Sequence, residues 1–93
     1  MQTSPSKLAD ALWPRSRQRV LAALLVNPDE RLHLRELARR VEMAPATVQR
    51  EVGLLTAAGI LERETEGRQV YYRAARECPI YSELRSVVLK TVG

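Results

Sequence analysis

A chain of 93 residues is long enough for one hydrophobic core but too short for two independent domains. Phenylalanine is absent and tryptophan occurs once, so the core must be built mainly from aliphatic side chains. The formal net charge of +4 suggests an anionic partner, but an ordinary solvated surface explains it equally well. All of the 15 basic residues except Lys7 and Lys90 are arginine.

The first third of the chain is predicted to form two helices. Ser4 and Pro5 are typical of a helix start, and a short helix over 4–13 carries Leu8 and Leu12 on one face. A second helix begins near Ser16, is ended by residues 27–29 and is followed by a short extended segment at 30–33. Its apolar stripe has helical spacing and consists of Val20, Leu21, Leu24 and Leu25.

A helix-turn-helix is predicted over residues 34–58. In its first helix the apolar face consists of Leu34, Leu37, Ala38 and Val41. Residues 42–44 break the pattern, and Pro45 is well placed to open the next helix. In that helix Val48, Val52 and Leu55 repeat at helical spacing until Ala58 and Gly59 end it.

From Ile60 the apolar period changes to two, which predicts a β-hairpin over 60–74 with its turn at residues 66–68. A last helix is expected over 79–92. The chain is therefore predicted to be one domain over 1–93, mainly α with a small β-hairpin (α+β). Two short helices, a tight turn and a following hairpin are the pattern of a winged helix-turn-helix, in which the second helix enters the major groove of DNA.

Helical geometry predicts which side of the second helix faces the groove. With Val48, Val52 and Leu55 buried, a rotation of about 100° per residue leaves the opposite side to Ala46, Arg50 and Gly53, flanked by Thr47 and Gln49. Arginine pairs with guanine, glutamine pairs with adenine, and threonine bonds a phosphate or touches a thymine methyl. The alternative is that these are ordinary solvated helix residues.

Phosphate contacts are expected from the remaining arginines. Arg35 and Arg39 lie on the first helix of the pair, and Arg68 and Gln69 lie at the tip of the hairpin. Further candidates are Arg15, Arg17, Arg19 and Arg40. Each of these side chains could instead be solvated or salt-bridged, and Arg39 could pair with Glu36 or Glu42 across a turn.

The second helix has features that favour binding by two copies. Ala44 offers no capping side chain, and Gly53 lowers helix stability by up to about 1 kcal/mol relative to alanine. Between residues 45 and 58 the only charges, Arg50 and Glu51, are expected to cancel. Two copies on one duplex would gain affinity through avidity.

Four segments resemble winged-helix regulators of the ArsR type: residues 32–39 (Leu32-His33-Leu34-Arg35-Glu36-Leu37-Ala38-Arg39), 45–52, 58–61 and the later Tyr71-Tyr72-Arg73. The chain is also similar to winged-helix modules that precede nucleotidyltransferase domains, where a segment like 80–85 leads into the second domain. The resemblance implies transcriptional regulation, dimerisation through terminal helices and, for the second similarity, a nucleotidyltransferase-type partner.

A homodimer is expected because apolar residues remain on both terminal helices. The predicted interface consists of Leu8, Leu12, Trp13, Ile80, Leu84, Val87 and Val88. The alternative function is a protein-interaction module that uses the winged fold without binding DNA, which the exposed position predicted for Leu54 favours.

Other chemistry is not indicated. Cys78 and His33 are far apart and lack a ligand motif, so no metal site or other cofactor is expected, and Cys78 alone cannot form an internal disulfide. The sequence has neither a nucleophile motif nor a glycine-rich phosphate loop, so an enzyme is not expected. The start of the chain lacks signal-peptide features, and the longest apolar run, 20–26, is too short to cross a bilayer. A cytoplasmic protein without a membrane partner is expected.

Overall fold

The computed structural model describes residues 3–92, which form five helices and a small three-stranded sheet. The helices and strands follow the predicted order closely, and the fold is a winged helix-turn-helix. In chain order they are α1 (Pro5–Leu12), α2 (Arg15–Leu25), β1 (Leu32–His33), α3 (Leu34–Val41), α4 (Pro45–Ala57), β2 (Leu61–Glu66), β3 (Gln69–Ala74) and α5 (Tyr81–Thr91). Residues 1, 2 and 93 of the predicted domain lie outside the described part.

The core is aliphatic, as the composition requires. The stripes predicted for α2, α3 and α4 meet in one cluster, to which the three strands and α5 each add one residue. Each fully buried leucine or valine contributes about 1.5–3 kcal/mol relative to an exposed one. The largest fully buried side chains are Leu21, Leu24, Leu25, Leu37, Leu55, Leu61, Val20, Val48, Val52 and Val88.

The sheet is antiparallel with strand order β1-β3-β2. β2 and β3 form the predicted hairpin, in which Gly67 has a φ of +61° at the turn. Leu32 and His33 of β1 pair with Tyr72 and Tyr71 of β3. The extended segment before α3 was predicted, and its pairing with the hairpin anchors the hairpin to the helical body.

The last helix closes the core from the side of α2. Arg85 donates from Nε to the Leu25 carbonyl oxygen at 2.9 Å and from Nη2 to the Val26 carbonyl oxygen at 3.4 Å, which satisfies carbonyls at the end of α2. Val88 is fully buried in the same protomer. Its predicted place in a dimer interface is therefore wrong, because a helical stripe does not by itself show which surface covers it.

No helix among residues 3–92 combines the length and the apolar character that a membrane span requires.

Candidate nucleic-acid interface

The turn between α3 and α4 is tight and has an unusual backbone. Glu42, directly after α3, has φ 57° and ψ 48°, a left-handed conformation that is uncommon for a residue other than glycine. The Met43 N–H donates to the Ala38 carbonyl oxygen at 3.1 Å, which closes the end of α3. Pro45 then opens α4, and Ala44 provides no side-chain cap. The turn sets the angle at which α4 leaves the body.

One side of α4 is buried and the other is open to solvent. Val48 and Val52 are fully buried and Leu55 is nearly so. On the opposite side the exposed residues are Ala46, Gln49, Arg50, Gly53 and Leu54, and Thr47 at their edge is half-buried. The exposed side is the one that helical geometry indicated for the groove.

Glu51 lies on the protein side of α4 and is only 4% exposed. Its Oε1 accepts a hydrogen bond from Arg17 Nε at 2.8 Å, and its Oε2 accepts one from Ser16 Oγ at 3.3 Å. The expected cancellation of charge between Arg50 and Glu51 is therefore wrong. The open side of α4 carries the positive charge of Arg50, while the Glu51 charge is neutralised by α2.

Several arginines that were candidates for phosphate contacts are engaged within the protein. Arg17 is held by Glu51, and Arg19 donates from Nη1 to the Val41 carbonyl oxygen at 3.2 Å. The two remaining candidates form exposed ion pairs: Arg15 lies 3.5 Å from Asp10, and Arg40 lies 3.0 Å from Glu30. A hydrogen bond from Arg40 lowers the pKa of Glu30, and Glu30 in turn raises the pKa of Arg40. Contacts to a partner from these arginines would compete with contacts already made.

A second set of arginines makes no ion pair or side-chain hydrogen bond to any residue between 3 and 92. All of its members are exposed: Arg35, Arg39, Arg50, Arg63 and Arg68. Arg39 pairs with neither of its suggested partners, Glu36 and Glu42. These guanidinium groups lie on the helix-turn-helix and on the hairpin, and each retains its full set of donors for an external acceptor.

Arg63 was missed by sequence reasoning. It lies in β2 opposite Tyr72, while its neighbours Glu62 and Glu64 point to the other face of the sheet. The period of two in the hairpin could have identified it as the basic residue on the face without carboxylates. Arg68 and Gln69, at the tip, are both exposed as expected.

The terminal helices carry exposed apolar side chains. Leu8 is 45% exposed and Leu12 57%, and α1 itself buries only Ala9. On and just before α5 the large exposed apolar residues are Ile80, Val87 and Leu89, the last of which was not predicted. Two other predicted interface residues, Trp13 and Leu84, are partly buried against the protomer's own core.

The residues considered for metal binding have other surroundings. His33 precedes α3, its backbone N–H donates to Glu36 Oε1 at 3.3 Å, and its ring meets that of Tyr71 edge-on at 5.1 Å. Cys78 is half-buried with a free thiol. Within residues 3–92 no three histidine, cysteine or acidic side chains gather as a metal site.

Comparison with known proteins places the fold among transcriptional regulators. The model of the MarR family matches residues 14–69, more than half of the chain. No curated protein sequence matches the chain. The matched residues include α2, the helix-turn-helix and β2.

Three solved structures illustrate the similarity. A MarR family transcriptional regulator from Silicibacter pomeroyi DSS-3 is 23% identical with a TM-score of 0.69, and the match covers 89% of this chain but only 57% of that one. The antimony-specific transcriptional repressor AntR is 26% identical with a TM-score of 0.66, covering 89% of this chain and 71% of the other.

The third structure is the homodimeric winged helix-turn-helix DNA-binding domain of a possible ArsR-family regulator from Mycobacterium bovis. It is 23% identical with a TM-score of 0.65, and the match covers 89% of this chain and 72% of that one. The family model that matches is that of MarR, so the more specific ArsR resemblance is not established. None of these comparisons supports a link to nucleotidyltransferases.

Proposed function

Because the chain belongs to the MarR family of winged-helix transcriptional regulators, we propose that it binds double-stranded DNA as a homodimer and represses transcription. The observation that carries the proposal is the distribution of its arginines. Five exposed arginines on the helix-turn-helix and the hairpin make no ion pair within residues 3–92, namely Arg35, Arg39, Arg50, Arg63 and Arg68. The other eight, which include Arg40 of α3 and Arg73 of β3, are paired with carboxylates or carbonyls.

In this proposal α4 is the recognition helix. Arg50 donates two hydrogen bonds to a guanine edge, and Gln49 pairs with adenine. Thr47, at the edge of the exposed side, contacts a phosphate or a thymine methyl. Ala46 and Gly53 are small enough to let the helix backbone approach the base edges closely. The open side of α4 and its single cation support these roles.

Phosphate contacts on either side of α4 fix its position in the groove. Arg35 and Arg39 bind the phosphates of the DNA strand beside α3. The backbone amides at the start of α3, near Arg35, add to the attraction for an anion. Arg68 and Gln69 at the hairpin tip, together with Arg63, contact the backbone or the minor groove next to it. None of these arginines forms an ion pair with a carboxylate of residues 3–92, which supports the assignment.

The homodimer is proposed to form through α1 and α5. The exposed residues for this contact are Leu8, Leu12, Ile80, Val87 and Leu89. The homodimeric state of the Mycobacterium bovis domain supports the assembly. Two recognition helices on one duplex compensate for the small charge of each. Repression is proposed by analogy with AntR, which is itself a repressor.

The test is binding to a duplex across a range of salt concentrations. We expect affinity to fall steeply between about 50 and 200 mM salt, since each phosphate contact releases counterions.

Arg50→Ala should cost about 1–3 kcal/mol of binding free energy on a site selected from random duplexes. Arg76→Ala is the matched control, because Arg76 lies beyond the end of β3 opposite the hairpin tip and pairs with Asp29.

Absence of duplex binding at low salt would contradict the proposal. That result would favour the alternative in which the winged fold serves as a protein-interaction module, with the 48% exposed Leu54 as part of its contact surface.

A further inference from the structure

The outer face of the hairpin is strongly acidic. Because side chains alternate along a strand, Glu62, Glu64 and Glu66 all lie on the same face of β2. Glu66 pairs with Gln69 across the turn and is therefore close to Arg68 at the tip. Three uncompensated carboxylates in this position would repel a phosphate backbone that Arg68 approaches.

Two arginines compensate these carboxylates, and one of them comes from outside the hairpin. Arg31, directly before β1, donates from Nη1 to Glu64 Oε2 at 3.0 Å and from Nη2 to Glu66. Arg73 of β3 donates from Nη1 to the other Glu64 oxygen at 2.7 Å and lies 3.8 Å from Glu62. Arg31 therefore reaches from the body across the middle strand to β2.

The surroundings of Arg31 leave it little capacity for DNA. Its guanidinium carbon lies 4.1 Å from the centre of the Tyr71 ring, a cation–π contact, while two of its nitrogens hold carboxylates. Arg68 makes no such contacts within the described residues. Arg68 is thus exposed without an ion pair, whereas Arg31 is bound to the hairpin.

We infer that Arg31 is a positioning residue for the hairpin: it holds β2 and β3 against the helical body and neutralises the acidic face so that Arg68 can approach phosphate. The second part rests on the proposed DNA binding, and the first part does not. Arg31 supplies one of the two positive charges set against three carboxylates, so its loss doubles the net negative charge of this face from one to two.

The ionisation of the groups agrees with this arrangement. Hydrogen bonds from Arg31 and then Arg73 hold the pKa of Glu64 below its ordinary value. Hydrogen bonds to Glu66 and Glu64 raise the pKa of Arg31. The groups are thus charged together at neutral pH.

The test compares Arg31→Met in two backgrounds, wild type and the Glu64→Gln/Glu66→Gln double variant. In wild type we expect Arg31→Met to weaken binding to a duplex at low salt about five- to tenfold, as for loss of a favourable charge beside the interface. In the double variant the same change should cost about twofold or less, since the carboxylates that Arg31 neutralises are gone. Arg76→Met is the control, because it removes an exposed ion pair, with Asp29, that involves no carboxylate of β2.

A loss of the same size in both backgrounds would overturn the inference, because it would mean that Arg31 contacts the phosphate itself. Hydrogen exchange of the free protein provides the second readout. The amides of residues 64–72 should exchange faster in Arg31→Met than in wild type, and at the wild-type rate in Arg76→Met. Equal exchange in Arg31→Met and wild type would contradict the holding role. If wild type fails to bind any duplex, the proposed function fails, and the exchange comparison still decides whether Arg31 holds the hairpin.

Discussion

Gly53 lies on the open side of α4, and no contact inside the protomer explains why this position is a glycine. A Cβ built on it would meet no atom within 4 Å, and its φ is not in the left-handed region. Glycine inside a helix nevertheless costs about 0.5–1 kcal/mol relative to alanine. No contact within the protomer therefore requires the small size of this residue, whereas the proposed close approach of DNA to α4 would use it.

Gly53→Ala is expected to move stability and binding in opposite directions. The free energy of unfolding should rise by about 0.5–1 kcal/mol, because helix propensity improves and nothing clashes. Affinity for a selected duplex should fall, because the added methyl group keeps α4 away from the base edges. Denaturant unfolding and duplex titration measure the two effects. A stabilised variant with unchanged duplex affinity would show that α4 does not approach DNA closely at this position.

At the scale of secondary-structure elements, α4 is held on the body by its contact with α2. Glu51 is buried, and its partners, Arg17 and Ser16, both lie at the start of α2. The Arg17 side chain is 25% exposed, so the pair is partly shielded from water. A buried carboxylate that loses its cation is destabilising.

Arg17→Met is therefore expected to lower the free energy of unfolding by about 1–3 kcal/mol, a value reduced from that of a fully buried pair because water reaches Arg17. The double variant Arg17→Met/Glu51→Met should recover much of the loss, since no unpaired charge remains. Urea unfolding of the three proteins measures both effects. Equal stability of Arg17→Met and wild type would mean that the pair does not hold α4.

The local features of these elements could be predicted from sequence, and the pairings between them could not. The buried stripe of α4 is predictable because Val48, Val52 and Leu55 recur at the 3.6-residue period of a helix and so share one face. Glu51 looks like a surface residue in the same pattern, since its partner is 34 residues away in the chain. The pairing of β1 with β3 is likewise a contact between distant segments.

The candidate site shows the same division. Exposure of Gln49, Arg50 and Arg68 follows from helix and hairpin geometry, and the structure has them exposed. Which arginines are free depends on distant carboxylates, so Arg17 was a candidate although Glu51 holds it. Arg63 was missed although the period of two in the hairpin indicates its face. Val88 belonged to a correctly predicted stripe, but only the packed structure shows that it faces the protomer's own core.

At the scale of the whole molecule, α1 is the element that most needs a partner. It has eight residues, buries only Ala9 and exposes Leu8 and Leu12 one turn apart. An isolated helix of this length is marginal in water, and the two leucines gain by being covered. A second copy would cover them together with the exposed residues of α5.

Leu12→Glu is expected to dissociate the proposed dimer, because it places a charge in the proposed apolar contact. Wild type at micromolar concentration should sediment at twice its chain mass of 10.5 kDa, and the variant at that mass. Leu54→Glu is the matched control, since Leu54 is also about half exposed but lies on α4. A monomeric wild type, or a variant that remains dimeric, would contradict the proposed interface.

The most direct test of DNA recognition is a titration of isotope-labelled protein with a selected duplex, followed by NMR of the backbone amides. We expect the largest shifts at residues 46–54 and 67–69, which include the exposed side of α4 and the hairpin tip, with smaller shifts near Arg35 and Arg39. Shifts confined to α1 and α5, or no shifts at low salt, would contradict the proposed DNA recognition.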